Sequence, residues 1–198
     1  MTLASATVHE AAARSQVVDL DLVQVVPGSA AHGPARTVCC GQDDNLMVHA
    51  AVAEAKPGEV LVLTMPEPRP VALVGELLGT QMKGRGVAAV LVDAAVRDVE
   101  ELRELELPVW ARWVRIAGAD KKAPGTIGEP VVVGGATIRQ GDLVVLDADG
   151  VAVVEAERVD EVLAAARERE EKEATKRAKL QEGALSYDLD GLRKLVEG

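Results

Sequence analysis

Apolar positions along this chain switch between a helical and a strand-like period, and the switches outline its elements. Residues 5–15 carry a short helical pattern. Gly33-Pro34 punctuates the chain before a short strand over residues 35–39. Asp43-Asp44-Asn45 supplies helix-capping side chains. Leu46, Val48, His49 and Val52 follow at near-helical spacing, which predicts a helix to about residue 55. After the turn Lys56-Pro57-Gly58-Glu59, residues 60–63 are continuously apolar, as a strand covered on both faces should be. Pro66, Pro68 and Pro70 rule out regular structure over 65–70 and make it a rigid loop. A helix is predicted over 75–83, closed by Gly84 and Gly86, then a buried strand over 87–92. A short helix over 98–105 and a strand over 108–111 come next.

The second half changes character. Residues 112–128 read as a long loop, and four short strands are predicted at 131–133, 136–138, 142–147 and 151–155. Their turns are Gly134-Gly135, Gln140-Gly141-Asp142 and Asp147-Ala148-Asp149-Gly150. From residue 156 to about 181 the pattern is one long helix. Val159, Val162, Leu163 and Ala166 form an apolar stripe in its first half, and its second half is mostly charged. Such a helix is either solvated or lies across a partner. A last helix over 189–196 follows a break at Gly183. With no internal repeat or low-complexity linker, the expectation is one domain, residues 1–156, with a C-terminal helical arm, residues 157–198.

Composition narrows the possibilities. The 198 residues are 48% hydrophobic but include no Phe, two Trp and one Tyr. The core must therefore be built of Val, Leu and Ala, which suits buried parallel strands packed by helices. A net charge of −10, almost no aromatics to stack on bases and no basic stripe argue against nucleic-acid binding. No apolar run is long enough to span a membrane. The N-terminus lacks a basic start followed by an apolar core, so no secretory signal is read there. The adjacent Cys39 and Cys40 would point to opposite faces of a strand, which suits ordinary thiols in a reducing cytoplasm.

The candidate chemistry gathers in residues 74–101. Arg97-Asp98 falls where the strand should exit, and the carboxyl edge of an open α/β sheet is where ligands bind. Arginine presents a planar fork matched to a carboxylate. Asp98 can give a hard oxygen to a divalent cation, and magnesium often takes only one or two protein carboxylates. Glu76 heads the preceding helix and can hold a metal-bound water. Glu101 lies one turn beyond Asp98, on the same helical face. The backbone N–H groups of Glu76, Leu77 and Leu78 are expected to be unpaired at a helix start, open to a carboxylate. Spacing alone favours a plain helix cap at Arg97-Asp98 and a first-turn acid at Glu76.

The run Gly75-Glu-Leu-Leu-Gly-Thr-Gln-Met-Lys-Gly-Arg-Gly-Val-Ala-Ala-Val-Leu-Val-Asp-Ala-Ala-Val-Arg-Asp-Val-Glu-Glu-Leu102 resembles the signature of the RraA-like family. Gly33-Pro-Ala-Arg-Thr-Val38, Asp44-Asn-Leu46, Pro57-Gly-Glu-Val-Leu-Val62, Gly141-Asp-Leu-Val144 and Asp149-Gly-Val151 support the likeness in order. The tail from Leu180 to Arg193 is similar to the branch of class II pyruvate aldolases, which act on 4-hydroxy-4-methyl-2-oxoglutarate or 4-carboxy-4-hydroxy-2-oxoadipate. The resemblance implies that Arg97 binds the pyruvyl carboxylate and that Asp98 coordinates Mg2+, Mn2+ or another divalent metal. It implies that Glu101 marks the aldolase-competent branch. It implies a substrate cradle at Gly75, Glu76, Leu77 and Leu78. It further implies that a C-terminal glutamate, Glu173 by preference and Glu171 next to it, reaches a neighbouring subunit's site in a homotrimer or homohexamer.

The implied fold is α/β: a layered α/β/β-type sandwich with a central mostly parallel sheet, a β-rich C-terminal half and the helical arm. The implied reaction is metal-dependent cleavage of a small keto acid to pyruvate, with oxaloacetate decarboxylation through the same enolate. The alternative is a non-enzymatic, protein-binding regulator, like the regulator of ribonuclease activity. Many relatives carry Gly where Ala94 or Ala95 stands, and an aspartate where Thr64 stands. Substrate choice is therefore expected to turn on Ala94-Ala95.

The remaining polar residues read plainly. His9, His32 and His49 have no metal spacing and are expected in surface or core polar roles. Ser5, Ser15, Ser29 and Ser186 lack a nucleophile elbow. Gly84-Arg85-Gly86 closes a helix and is no nucleotide loop. Lys83 is expected on the surface. Arg112, Arg115, Lys121 and Lys122 are expected in a solvated loop, with substrate attraction the lesser alternative. Trp110 and Trp113 fit either core packing or a pocket wall.

Overall fold

The computed structural model describes residues 3–14 and 16–197. Ser15 lies outside the described residues. The protein is a mixed α/β unit built on one curled mixed sheet, with a helical C-terminus.

Parallel pairing fills the sheet's centre. Strands β2 (Ala31–Cys39), β3 (Val60–Thr64), β5 (Ala89–Val96) and β6 (Val109–Val114) lie side by side in the order β6-β5-β3-β2. Strand β4 (Ala72–Val74) also runs parallel to β5, at its exit. Antiparallel pieces finish both sides. β1 (Val23–Gln24) pairs with β6, and β7 (Thr126–Ile127) pairs with β2. β10 (Leu143–Leu146) joins the first half of β2 to β11 (Val151–Val154). β2 is thus the seam between the two halves: its residues 31–34 pair with β10 and its residues 35–39 with β3. It starts four residues earlier than the sequence predicts, because Gly33-Pro34 runs through the strand. A Cβ on Gly33 would collide with the Gly58 carbonyl, so glycine permits that approach.

Side-chain alternation explains the continuous apolar runs. Leu61 and Leu63 face a core packed by α2 (Leu46–Glu54), α3 (Glu76–Gly84) and α4 (Val99–Glu104). Val60 and Val62 face a second core under the hairpin of β8 (Val131–Val133) and β9 (Ala136–Ile138). β10 repeats the pattern. Val144 and Leu146 enter the second core; Leu143 and Val145 meet α1 (Ser5–Ala11) and α5 (Val159–Gln181) in a third. Period-2 geometry with both faces covered leaves no polar positions to reveal alternation.

Several sequence expectations shift. Strand β5 begins two residues later than predicted and runs on to Val96, with an irregularity between Val92 and Ala95. The 112–128 loop contains the end of β6 and all of β7. The last helix is two short pieces, α6 (Ser186–Leu189) and α7 (Arg193–Val196). Val162 and Ala166 are the buried residues of α5, and from Arg167 onward the arm is largely exposed. No helix among the described residues is long and apolar enough to cross a membrane.

Candidate active site

Four segments converge at the carboxyl end of β4 and β5. The first is the head of α2. The second is the β4–α3 junction at Gly75-Glu76. The third is the β5–α4 junction at Arg97-Asp98. The fourth is the loop around Gly118–Lys121. Backbone hydrogen bonds tie them: Arg97 N donates to Val74 O (3.0 Å), Arg115 N to Val96 O (3.0 Å) and Asn45 N to Asp120 O (2.9 Å). Together they enclose a cleft of about 500 Å³. Glu76, Leu77, Leu78, Arg97, Asp98 and Glu101 all line it, and so does Gly75. The candidates within residues 74–101 are thus brought together as expected.

Asp98 is held unusually firmly for a half-exposed acid. It adopts the left-handed backbone conformation, φ 55°, which non-glycine residues rarely take and which turns the chain from β5 into α4. Its Oδ2 accepts the Glu76 backbone N–H at 3.0 Å. This occupies one of the helix-start donors that the sequence left open. The same oxygen lies 3.5 Å from Arg97 Nε. Its other oxygen takes no hydrogen bond from the described residues.

Two glycines make room for this pair. A Cβ on Gly75 would collide with the Asp98 carboxylate and stand 3.1 Å from Arg97 Cγ. A Cβ on Gly118 would stand 2.7 Å from Arg97 Nη1. The guanidinium therefore lies across Gly118, with its side chain about half exposed.

The donor set suits a hard divalent cation bound through few protein ligands. Asp98 offers a free oxygen, and Glu76 and Glu101 share the cleft. Among the described residues no three His, Cys, Asp or Glu side chains cluster closely enough to wrap a metal. Magnesium's habit of one or two carboxylates with the remainder water and substrate matches that arrangement. Glu76 is further oriented by Thr80, whose Oγ1 donates to Oε1 at 3.2 Å.

Four polar cleft residues fall outside the site read from sequence: Asn45, His49, Gln81 and Lys121. The sequence offers Asn45 only as a cap, His49 as a surface or core polar group and Lys121 as part of a solvated loop, with substrate attraction the lesser alternative. Asp44 explains their meeting. Its Oδ1 accepts Leu46 N–H at the start of α2 (2.8 Å). Its Oδ2 accepts Lys122 N–H (2.6 Å) and Ala123 N–H (2.9 Å). One buried carboxylate thus clips the 121–123 segment to the helix. Burial pushes the Asp44 carboxyl up, but these three backbone donors and Lys122 hold it below its ordinary value.

Other expected residues fall elsewhere. Glu173 sits on the exposed part of α5, paired with Arg169 at 2.8 Å, and is not in this chain's own cleft. Ala94 and Ala95 are fully buried within β5 and do not line the cleft. Thr64 donates its hydroxyl to Val38 O (3.1 Å), also away from it. Arg112 pairs with Asp93 at 2.9 Å and stacks over Trp113 at 4.8 Å, so it is a sheet residue. Trp110 is core, its indole N–H donating to Asp147 O at 3.0 Å. Lys83 donates to Glu106 O at the surface. Cys39 and Cys40 are free, and burial pushes the Cys40 thiol up to about 12.

Residues 5–153 match the family model for RraA-like proteins, described as Aldolase/RraA. A Halalkalibacterium halodurans protein named "Putative 4-hydroxy-4-methyl-2-oxoglutarate aldolase" is 39% identical over 147 residues, covering 74% of this chain and 70% of its own. RraAS2 of Streptomyces coelicolor, described as an unusual member of the RNase ES inhibitor RraA family, superposes with a TM-score of 0.78. It is 30% identical, with 88% of this chain and 91% of that one covered. The RNA-processing inhibitor RraA from Thermus thermophilis gives a TM-score of 0.72 at 25% identity, covering 78% of this chain and 93% of its own. With three quarters of its length in the family model, this chain belongs to the RraA-like family.

Proposed function

We propose that the protein is a divalent-metal-dependent lyase that cleaves a 4-hydroxy-2-oxo acid to pyruvate and a second keto acid. The observation that carries this reading is the Arg97-Asp98 pair, set by a left-handed Asp98 and two glycines at the mouth of a cleft also lined by Glu76 and Glu101. The name of the 39% identical relative supports the same substrate class.

Arg97 clamps the carboxylate of the pyruvyl end and faces the C2 ketone oxygen, where negative charge develops. Asp98 holds Mg2+ or Mn2+, which supplies Lewis acidity to that oxygen when bound. Glu76 holds a water against the C4 hydroxyl, and that water takes the hydroxyl proton. The C3–C4 bond breaks, its electrons move to C2–O as the pyruvate enolate, and the other fragment leaves with a C4 carbonyl. The same water returns a proton to C3. Oxaloacetate, losing CO2, reaches the same enolate, so one site serves both reactions. No lysine Schiff base enters this scheme.

In the assembled protein, a homotrimer or homohexamer, Glu173 of one subunit completes a neighbour's cleft. The sheet and its covering elements form the layered sandwich of the family body, and the arm of residues 157–198 packs on the next subunit.

The test is pyruvate release from 4-hydroxy-4-methyl-2-oxoglutarate, 4-carboxy-4-hydroxy-2-oxoadipate and oxaloacetate, with and without Mg2+. Arg97→Ala and Asp98→Ala should each lower turnover by at least about 10³-fold in a folded protein, Arg97→Ala with a thermal midpoint close to wild type and Asp98→Ala with a lower one, since it loses the bond from the Glu76 N–H. Chelator-insensitive turnover in Asp98→Ala would exclude the metal role. A second reading, favoured by the superposition on RraA proteins, is a protein-binding regulator. Absence of pyruvate release from all three acids would select it.

A further inference from the structure

Strand β5 changes neighbours halfway along. Its residues 89–92 pair with β3, ending with Leu63 opposite Val92. From Ala95 onward its partner on that side is β4. On the other side Val92 stands opposite Ala111 and Ala95 opposite Trp113, so three steps along β5 match two along β6. Asp93 and Ala94 therefore stand against a single residue of β6, Arg112, as in a β-bulge. The side chains record the offset. Val92, Ala94 and Val96 keep strict alternation on the first core, whereas Ala111 and Val114, three residues apart, both pack there. Past the bulge the strand is tied down again. Ala95 N donates to Val71 O (3.1 Å), Arg97 N to Val74 O (3.0 Å) and Arg115 N to Val96 O (3.0 Å). Arg97 and Asp98 thus leave the sheet in the register that the bulge sets.

One ion pair spans that bulge. Arg112 Nη1 donates to Asp93 Oδ1 at 2.9 Å. The same guanidinium lies over the ring of Trp113 at 4.8 Å, and Trp113 is the partner of Ala95, the first residue paired beyond the bulge. Asp93 is only 4% exposed, on the face of β5 from which Ala89 and Leu91 enter the second core. Burial pushes its carboxyl up, and the Arg112 guanidinium draws it back only in part. Replacing a buried ion pair by apolar side chains is often neutral or stabilising, so stability alone does not account for a carboxylate in this place. Register does. Pairing without the bulge would set Ala95 against Val114, and a slip of one residue exchanges the two faces of everything that follows. Arg97 would then lose its seat across Gly118. Such a slip moves the chain by about 3.3 Å, and a catalytic group tolerates only about 0.5 Å.

We infer that Asp93 and Arg112 are positioning residues for the active site: their ion pair locks the bulge of β5, and with it the register in which Arg97 and Asp98 enter the cleft. Neither residue lines the cleft, so neither touches substrate. The pair acts through the backbone of residues 95–97. What Arg97 and Asp98 do there rests on the lyase reading above; the register itself does not.

The test uses the full chain with Mg2+ and two variants. Asp93→Leu combined with Arg112→Met keeps apolar bulk in place and removes the lock. Asp93→Asn keeps an oxygen that can accept from Arg112 Nη1. The double variant should hold a thermal midpoint close to wild type. In native-state hydrogen exchange its Ala95, Arg97 and Arg115 amides should exchange at least about tenfold faster, while the β3 amides keep their protection. Its kcat/KM for pyruvate release from 4-hydroxy-4-methyl-2-oxoglutarate should fall at least about tenfold. Inhibition by pyruvate should weaken as well, because Arg97 holds the pyruvyl carboxylate. Asp93→Asn should recover most of these losses. Unchanged exchange at the three amides would overturn the inference, and so would normal turnover in the double variant. A lowered midpoint with protection lost throughout the sheet would mark a purely structural pair and overturn it too. If the wild-type chain releases no pyruvate, the lyase reading fails by itself. Hydrogen exchange then decides the register alone: faster exchange confined to the three amides supports the lock, and any other pattern overturns it.

Discussion

Gly118 has no side chain to contribute, yet the position of Arg97 depends on it. The Cβ of an alanine there would press on Arg97 Nη1, the far end of a flexible side chain. The guanidinium would give way and the backbone would stay. Misplacing a clamping group by about an ångström is enough to cost up to roughly 10²-fold in rate. Gly118→Ala should therefore lower kcat/KM for pyruvate release by at least about tenfold, with a thermal midpoint close to wild type. Unchanged kinetics would mean that the guanidinium reaches its working place by another route. Gly75→Ala differs in kind. Its Cβ would displace the Asp98 carboxylate that accepts the Glu76 backbone N–H, so stability and activity should fall together. Neither glycine could be assigned this duty from sequence, because Arg97 and Gly118 meet only through the β5–β6 layout. Arg97, Asp98, Glu76 and Glu101 were legible because they lie within one local strand-helix run. Asn45 was not, since its partners Leu73 and Asp120 are distant in sequence.

At the scale of elements, β2 and β3 are fastened by more than their ladder. Arg36 on β2 forms a two-pronged bond with Glu59, just ahead of β3: Nε to Oε2 at 2.7 Å and Nη2 to Oε1 at 3.1 Å. Both side chains are nearly buried. Glu59 Oε2 also accepts Lys56 N–H at 2.9 Å, closing the turn before β3. Burial alone would raise the Glu59 carboxyl; Arg36 and the Lys56 N–H outweigh it and hold it below its ordinary value. Removing one partner strands a buried charge, at about 3–5 kcal/mol. Arg36→Leu should therefore destabilise the fold by roughly that amount in urea titration. The sign with pH follows. A carboxyl that is more acidic folded than unfolded stabilises the fold above its unfolded value, and that contribution disappears as pH falls through the folded value. Asp44 and Asp147 shift the same way, so wild-type stability should decline below about pH 4.5. Glu59→Gln should show a smaller decline between pH 5 and 3; an identical slope would remove Glu59 from the account. β3 and β10 were legible as apolar runs, whereas Gly33-Pro34 hid the first half of β2. β1 and β7, two residues each, and β4, three residues behind the proline loop, were too short to carry a period.

For the whole molecule, the arm is the feature that a single chain leaves unexplained. Helix α5 has 23 residues, roughly 35 Å at ~1.5 Å per residue, but its buried residues are only Val162 and Ala166. Beyond it, Leu185, Leu189, Leu192, Leu195 and Val196 are all exposed. Ion pairs fold this tail on itself, Lys176 with Asp190 and Arg193 with Asp188 and Glu197, without covering the leucines. Exposed apolar side chains in such a run mark an interaction surface, and a second copy of the chain is the partner that would place Glu173 in a cleft. Ending the chain after Arg167 keeps Val162 and Ala166 in the third core, so the body should retain its thermal midpoint. It should sediment as a monomer and lose pyruvate release, and the full chain should sediment as the trimer or hexamer proposed above. Glu173→Gln in the full chain separates the two contributions: assembly should persist while turnover falls. A truncated body that keeps full turnover would show that one cleft works alone, leaving the arm with assembly at most.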